Sequence, residues 1–431
     1  MKDHAERFQL ANEVHARPPA ELTAPARASY VAVLMESSDR AAEHGHIATL
    51  CERYGVVPPL PGATHFSARV GQVQIKWERH SEFSGYYFFV EGEGRKPFAD
   101  AAITHLPEGW LDAIPGLRLV AAHALLSPRE ARWHEDELLE SCFSGNRFVG
   151  SEIGEGAGFA YTDFRIHEDG YSRFLLLNVH MSSSQAGRMV QRLFEIEAYR
   201  MLALLALPIA QKLSPHVKAI EQSLAEVTEA VSVESRSDEV LLNELSTFAA
   251  EVERTLSASQ FRFSASRAYS DLVRSRIDEL REHRLSGLQT INEFMSRRLA
   301  PAIATCATMS QRLRDLSERI ARTSSLLSTR VDIAREKQNQ ALLASMERRA
   351  RMQLRLQQTV EGLSVAAISY YVVALLSLVF GALESAGLPL RSELATGLSI
   401  PVVLLLVGFV LHSIRRRIML RDEDTKAGSH R

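Results

Sequence analysis

LSVAAISYYVVALLSLVFGAL, residues 363–383, carries no charged side chain, and its reading decides how the rest of the chain is read. As a helix rising about 1.5 Å per residue, a run of this length crosses a hydrocarbon core of roughly 30 Å. The link ESAGLPLRSELAT leads to a second apolar run, GLSIPVVLLLVGFVLHSI, residues 397–414. Together the two runs predict a transmembrane hairpin. A buried hairpin in a soluble core is the alternative, and the basic flanks argue against it. Arg348, Arg349, Arg351 and Arg355 precede the first run, and Arg415, Arg416 and Arg417 follow the second. By the positive-inside rule both outer ends, and with them the N- and C-termini, are expected in the cytoplasm.

Upstream of the hairpin, no Pro or Gly interrupts the chain from Ala302 until Gly362, so one helix is expected to run straight into the first crossing. At about 1.5 Å per residue it would form a rod on the order of 120 Å. Its apolar stripe needs cover from other helices or from neighbouring subunits, because such a rod is not stable alone in water. Apolar residues spaced three and four apart fill the preceding region as well, with Leu241, Leu245, Phe248, Val252 and Leu256, and later Leu313, Leu316, Ile320 and Leu327. Breaks are expected near Ser232 to Asp238 and near Pro301. Before Met181 the texture is different. Strand-like runs begin at Arg27, Phe66, Val73 and Tyr86, and LRLVAAHALL, GFAYTDFRI and SRFLLLNV follow. Glu168-Asp169-Gly170 reads as a hairpin turn, and Ser127-Pro128 as the start of a helix. The expected fold is therefore an α+β cytosolic domain (1–181), a long α-helical stalk (182–362), a C-terminal two-helix transmembrane hairpin (363–414) and a basic, polar cytosolic tail (415–431).

Lys+Arg number 50 and Asp+Glu 52, a net charge of −2, so no global field argues for nucleic acid. Cys51, Cys142 and Cys306 are far apart without a C-x-x-C spacing, which fits a reducing compartment and neither a zinc knuckle nor a disulfide framework. Charges at Lys2, Asp3, Glu6 and Arg7 stand where a signal peptide needs its apolar core, so export of the N-terminal region is not expected.

Three sets of residues are candidates for chemistry. Asn12, Glu13, His15 and Arg17, in the segment NEVHARP, concentrate amide, carboxylate, imidazole and guanidinium groups that could bind an anion or metal, or tie the N-terminus onto the sheet. Glu78, His80 and Glu82 alternate along a strand and would share a face if the strand reached that far, giving a metal site; solvent-facing strand decoration is the plainer reading. Asp163, Arg165 and His167 have the same spacing. In the first apolar run Ser369, Ser377, Gly381 and Glu384 lie on one stripe with Gly362, Ala366 and Val373. Such a stripe lines a narrow cation path ending in a carboxylate ring, or it lets helices pack closely. No catalytic signature is present, so no enzyme activity is expected, and no cofactor beyond a possible divalent cation.

NEVHARP, together with KWERHSEF, AYTDFRIHEDG, QAGRMVQRLFEIEAYRMLALLALP and EGLSVAAISYY, resembles the signature segments of an uncharacterised bacterial family of membrane-anchored proteins. The resemblance implies the bacterial inner membrane and brings no activity. The layout is also similar, more distantly, to the CorA-type magnesium transporters. That resemblance implies a homo-oligomer, possibly a pentamer, with a pore lined by the first crossing. The Gly-Met-Asn motif of those transporters is missing, and Phe380-Gly381-Ala382-Leu383-Glu384 stands in its place. The function expected is a homo-oligomeric inner-membrane channel or transporter for cations with a cytosolic regulatory domain. The alternative is a non-conducting anchored scaffold or sensor whose α+β domain binds a ligand or partner. Membrane lipids and copies of the chain are the expected partners.

Overall fold

The computed structural model describes residues 3–8, 10–11, 18–96, 98–129, 135–385 and 391–427, and divides the chain into two units, Met1–Leu327 and Ser328–Arg431. The first unit begins with a mixed sheet. Its strands are β1 (Ala26–Leu34), β2 (His65–Val70), β3 (Val73–Arg79), β4 (Phe83–Glu91), β5 (Leu117–Pro128), β6 (Val149–Ile153), β7 (Gly158–Thr162), β8 (Ser172–Asn178) and β9 (His283–Arg284). They are ordered β2-β3-β4-β1-β5-β8-β7-β6-β9. Neighbours are antiparallel except β5 and β8, which pair in parallel from Ala122 opposite Ser172 to Pro128 opposite Asn178. That pairing carries Ser127 and Pro128 as the end of a strand. The expected helix start there is therefore displaced to α2 (Glu135–Phe143), because the sheet neighbour outweighs a local signal that suits either conformation.

Alternation along the central strands sends side chains to two covered faces, which is why these strands are apolar on both sides. Val31, Val33, Ile75, Trp77, Tyr86 and Phe88 pack against α1 (Asp39–Tyr54). Further along the same sheet, Leu125, Tyr161, Leu175 and Leu177 pack with Leu139 and Phe143 of α2. On the opposite face Tyr30, Phe83, Tyr87, Phe89, Phe174 and Leu176 meet α3 (Ser183–Leu204), α5 (Asp238–Leu280) and α6 (Ile291–Arg298). The β6 edge is covered by β9, and Glu282 beside it accepts from the Ile291 and Asn292 amides at 3.0 and 2.8 Å, holding the start of α6.

Helix α4 (Ala206–Val233) follows α3 after a break at Leu205. Pro208 lies in its first turn, where a missing N–H is tolerated. The α4–α5 turn falls at 234–237 and Ser237 caps α5, while α6 ends at Arg298 just before α7 (Ala300–Ser385). Both expected breaks are thus where the Ser-rich turn and Pro301 put them. Cys306, Met309, Leu313, Leu316, Ile320 and Leu327 of α7 are buried with Val217, Leu224, Val227, Leu241, Leu245 and Val252 of α4 and α5. Arg312 adds a two-pronged contact with Glu221, at 3.1 and 2.7 Å.

The second unit holds the rest of α7 and α8 (Ser392–Ala427). Two stretches, one in α7 and one spanning Ser392–Val410, are long and apolar enough to cross a membrane, with mean hydropathies of 2.2 and 2.1. Almost none of either stretch is buried, which separates them from core helices of a soluble domain. The protein is thus a mixed-sheet domain followed by long helices and a C-terminal apolar helix.

Candidate functional site

Strand β3 sets the site. Its odd positions, Val73, Ile75 and Trp77, face α1, so Gln74, Lys76 and Glu78 face α3 on the other side. Lys76 and Glu78 are 4 % and 2 % exposed, so two charges lie in a position that the pleat reserves for core side chains. They lie 2.9 Å apart. The Lys76 ammonium also donates to the Pro18 carbonyl at 2.8 Å and to Gln191 Oε1 at 3.0 Å, and sits 5.6 Å from the centre of the Tyr87 ring.

From Gln191 the network continues along α3 and across to α5. Gln191 Nε2 donates to Glu195 Oε1 at 2.7 Å, Glu195 pairs with Arg276, and Arg276 donates to Glu279 Oε1 at 2.6 Å. Arg192 closes the chain with bonds to the Glu279 side chain and carbonyl at 2.9 and 3.0 Å. Burial raises the Glu195 carboxyl above its ordinary range; Arg276 and Gln191 oppose that rise, and the Glu78 charge adds to it. Burial also raises the hydroxyls of Tyr30 and Tyr87 beside the cluster. Three cations (Lys76, Arg192, Arg276) face three carboxylates (Glu78, Glu195, Glu279), so the network is neutral in itself.

The chain that meets Lys76 at Pro18 then forms a strap over α3. Leu22 N–H donates to the Ser183 carbonyl at 3.0 Å, and Ala20 and Leu22 are buried in the core beneath. Gly187 makes the crossing possible: a Cβ there would lie 1.6 Å from the Ala20 carbonyl oxygen. One ionic network therefore joins strap, sheet, α3 and α5. It offers positioning and charge recognition, and holds no nucleophile poised beside a base.

The sequence candidates fall differently. Asn12, Glu13, His15 and Arg17 lie outside the described residues. Glu78, His80 and Glu82 are not brought together, because β3 ends at Arg79 and the chain turns into β4. Glu78 is held by Lys76, His80 stacks on Phe83 with ring centres 4.2 Å apart, and Glu82 pairs with Arg262 at 2.8 Å. Among the described residues no group of three or more His, Cys, Asp or Glu could hold a metal. Asp163 and His167 do meet, at 3.0 Å, with Asn146 donating to Asp163 at 2.9 Å; a loop rather than strand alternation brings them together.

In the second unit Ser369 is 4 % exposed, and among the described residues its hydroxyl has no hydrogen-bond partner. Ser377 donates to the Ala374 carbonyl at 3.1 Å, and Gly381 leaves open space where a Cβ would stand. Glu384 accepts from the Ser392 amide at 3.3 Å, at the start of α8. Ser369, Val373, Ser377 and Gly381 are the shielded side of α7 here, and Thr396, Ser399 and Val403 are the shielded side of α8.

Sequence reasoning passed over Gln191, Glu195 and Arg276, and took Lys76, in KWERHSEF, only as one of a strand's alternating charges. A signal existed in Ile75-Lys76-Trp77, where a lysine interrupts a core strand, and in Gln191, Glu195 and Tyr199, spaced four apart on one helix face. No curated protein and no solved structure matches the chain. The family model that does match covers residues 2–418, and the chain belongs to that family, described as Protein of unknown function (DUF3422).

Proposed function

We propose that the chain is a two-span protein of the bacterial inner membrane, with both termini cytoplasmic, whose sheet domain senses a ligand or partner through the ionic network beneath the strap. One observation carries the reading. Helix α7 is continuous from Ala300 to Ser385, so residues packed into the first unit's helical core and the apolar run 363–383 belong to one helix. The buried Lys76–Glu78 pair at the head of that network adds little stability over apolar packing, which favours a role in specificity or switching. The NEVHARP segment, joined to the strap at Pro18, is the natural place for a ligand to act on that network.

A second reading, cation conduction in a homo-oligomer of CorA-like layout, is favoured by the Ser369 hydroxyl. A buried hydroxyl without an acceptor lacks about 1–3 kcal/mol of compensation, which water or a neighbouring subunit would supply. Purified full-length chain in liposomes separates the two. Retention in carbonate-washed membranes with no cation flux above empty liposomes is expected. Flux that Glu384→Gln reduces would replace the sensor by the channel.

A further inference from the structure

The seam that buries α7 in the first unit recurs in the second without cover. Cys306, Met309, Leu313, Leu316, Ile320 and Leu327 follow alternating steps of three and four, with Thr323 filling the one skipped position, and all six are buried under α4 and α5. Those helices turn back at 234–237, and no residue of α7 after Leu327 belongs to that core. The same alternation then reappears at Leu342, Met346, Arg349, Gln353, Leu356, Val360 and Leu363. Its five apolar members are 57–74 % exposed.

We infer that this second seam is the contact between parallel copies of the chain. Alternating three- and four-residue steps are the repeat by which like helices wind about one another, knobs into holes. Lipid is excluded as the cover, because Arg348, Arg349, Arg351 and Arg355 are interleaved with the seam and the hydrocarbon core rejects them. The inference rests on the membrane anchorage proposed above. A helix that continues into a membrane span fixes the direction and height of every copy, so seam meets seam in register. Arg349 and Gln353 are then the polar seam positions, of the kind that select register and subunit number at a cost in stability.

Cysteine cross-linking of the full chain in inner-membrane vesicles, with copper-phenanthroline as oxidant, tests this. In a parallel in-register pair, identical seam positions approach within disulfide reach. Met346→Cys and Leu356→Cys should each give a disulfide dimer of doubled mass, and Leu354→Cys, on the opposite side of the helix, at least five-fold less. All three positions are exposed in the single chain, so the variants should fold as the parent does. Chain retained by carbonate-washed membranes, with no more dimer from Met346→Cys and Leu356→Cys than from Leu354→Cys, would overturn the self-contact and leave the anchorage standing. So would a cross-linked product containing another polypeptide. Chain released by carbonate would instead remove the anchorage, and the inference with it.

Discussion

Gly187→Ala is the sharpest probe of the strap. The added methyl would stand 1.6 Å from the Ala20 carbonyl oxygen, backbone that cannot rotate away, so the strap or α3 must move. Moving the strap exposes Leu22, which is 6 % exposed at present, at a cost of about 2 kcal/mol. It also breaks the Leu22 to Ser183 hydrogen bond, about 1 kcal/mol more. Detachment of the strap should then become about 3 kcal/mol easier, which accelerates exchange of the Leu22 amide roughly a hundredfold if that amide opens locally. Amides of β1 and β5, held by the sheet ladder, should keep their rates. Arg188→Ala, on the exposed side of the same helix, is the control. Hydrogen exchange read by mass spectrometry on peptides covering 18–27 and 117–128 would measure both. A folded Gly187→Ala protein whose 18–27 peptide exchanges at the parental rate would refute the reasoning.

Lys76→Met alone leaves Glu78 buried without its cation and should lower stability by about 3–5 kcal/mol, whereas Lys76→Met with Glu78→Met should recover most of that loss in urea titrations. Burial pulls His123 down to about 4 in the folded chain, against about 6.5 when unfolded. The unfolded state therefore binds the extra proton first, and stability present above about pH 6.5 should be lost as pH falls toward 4, by up to about 1.4 kcal/mol per unit. His123→Gln should flatten that slope, and an unchanged slope would assign it elsewhere. Leu316→Ala, at a position 1 % exposed under α4 and α5, should destabilise the first unit by about 2–5 kcal/mol, seen as a lower denaturation midpoint.

Much of the fold was legible because periodicity and burial agree in it. Strands β1, β3, β4, β5 and β8 announce themselves by apolar runs, and α5 and α7 by their three-and-four spacing. Helix α1 escaped notice because one of its core positions is filled by a charge. Glu43 is fully buried, accepting from Trp77 Nε1 at 2.8 Å and the Tyr86 hydroxyl at 2.9 Å, so apolar spacing alone does not reveal the helix. Strand β9 is two residues long and exists only because β6 offers an edge, which no local signal encodes. The site was hidden for a related reason. Glu78 was noticed as one of a strand's charges, but the network that continues from its partner Lys76 through Gln191 and Glu195 to Arg276 draws on β3, α3 and α5, and only the folded chain brings these together.

The position of the charges in the fold bears on which reading of function is stronger. A conducting path needs polar groups facing water along the apolar helices. Yet Ser377 is bonded back to its own helix at the Ala374 carbonyl, and Glu384 is engaged by the Ser392 amide. The exposed side of that stretch carries Tyr370, Tyr371, Leu375 and Leu378, which suit lipid or another apolar helix. The first unit has the reverse arrangement, with charges drawn into its interior at the point where the strap lands. In this neutral network of three cations and three carboxylates the buried Lys76–Glu78 pair gains little from burial, but either charge becomes costly once its partner moves. Displacing Pro18 by even a small amount would remove an acceptor from Lys76 and be felt at Gln191, Glu195 and Arg276.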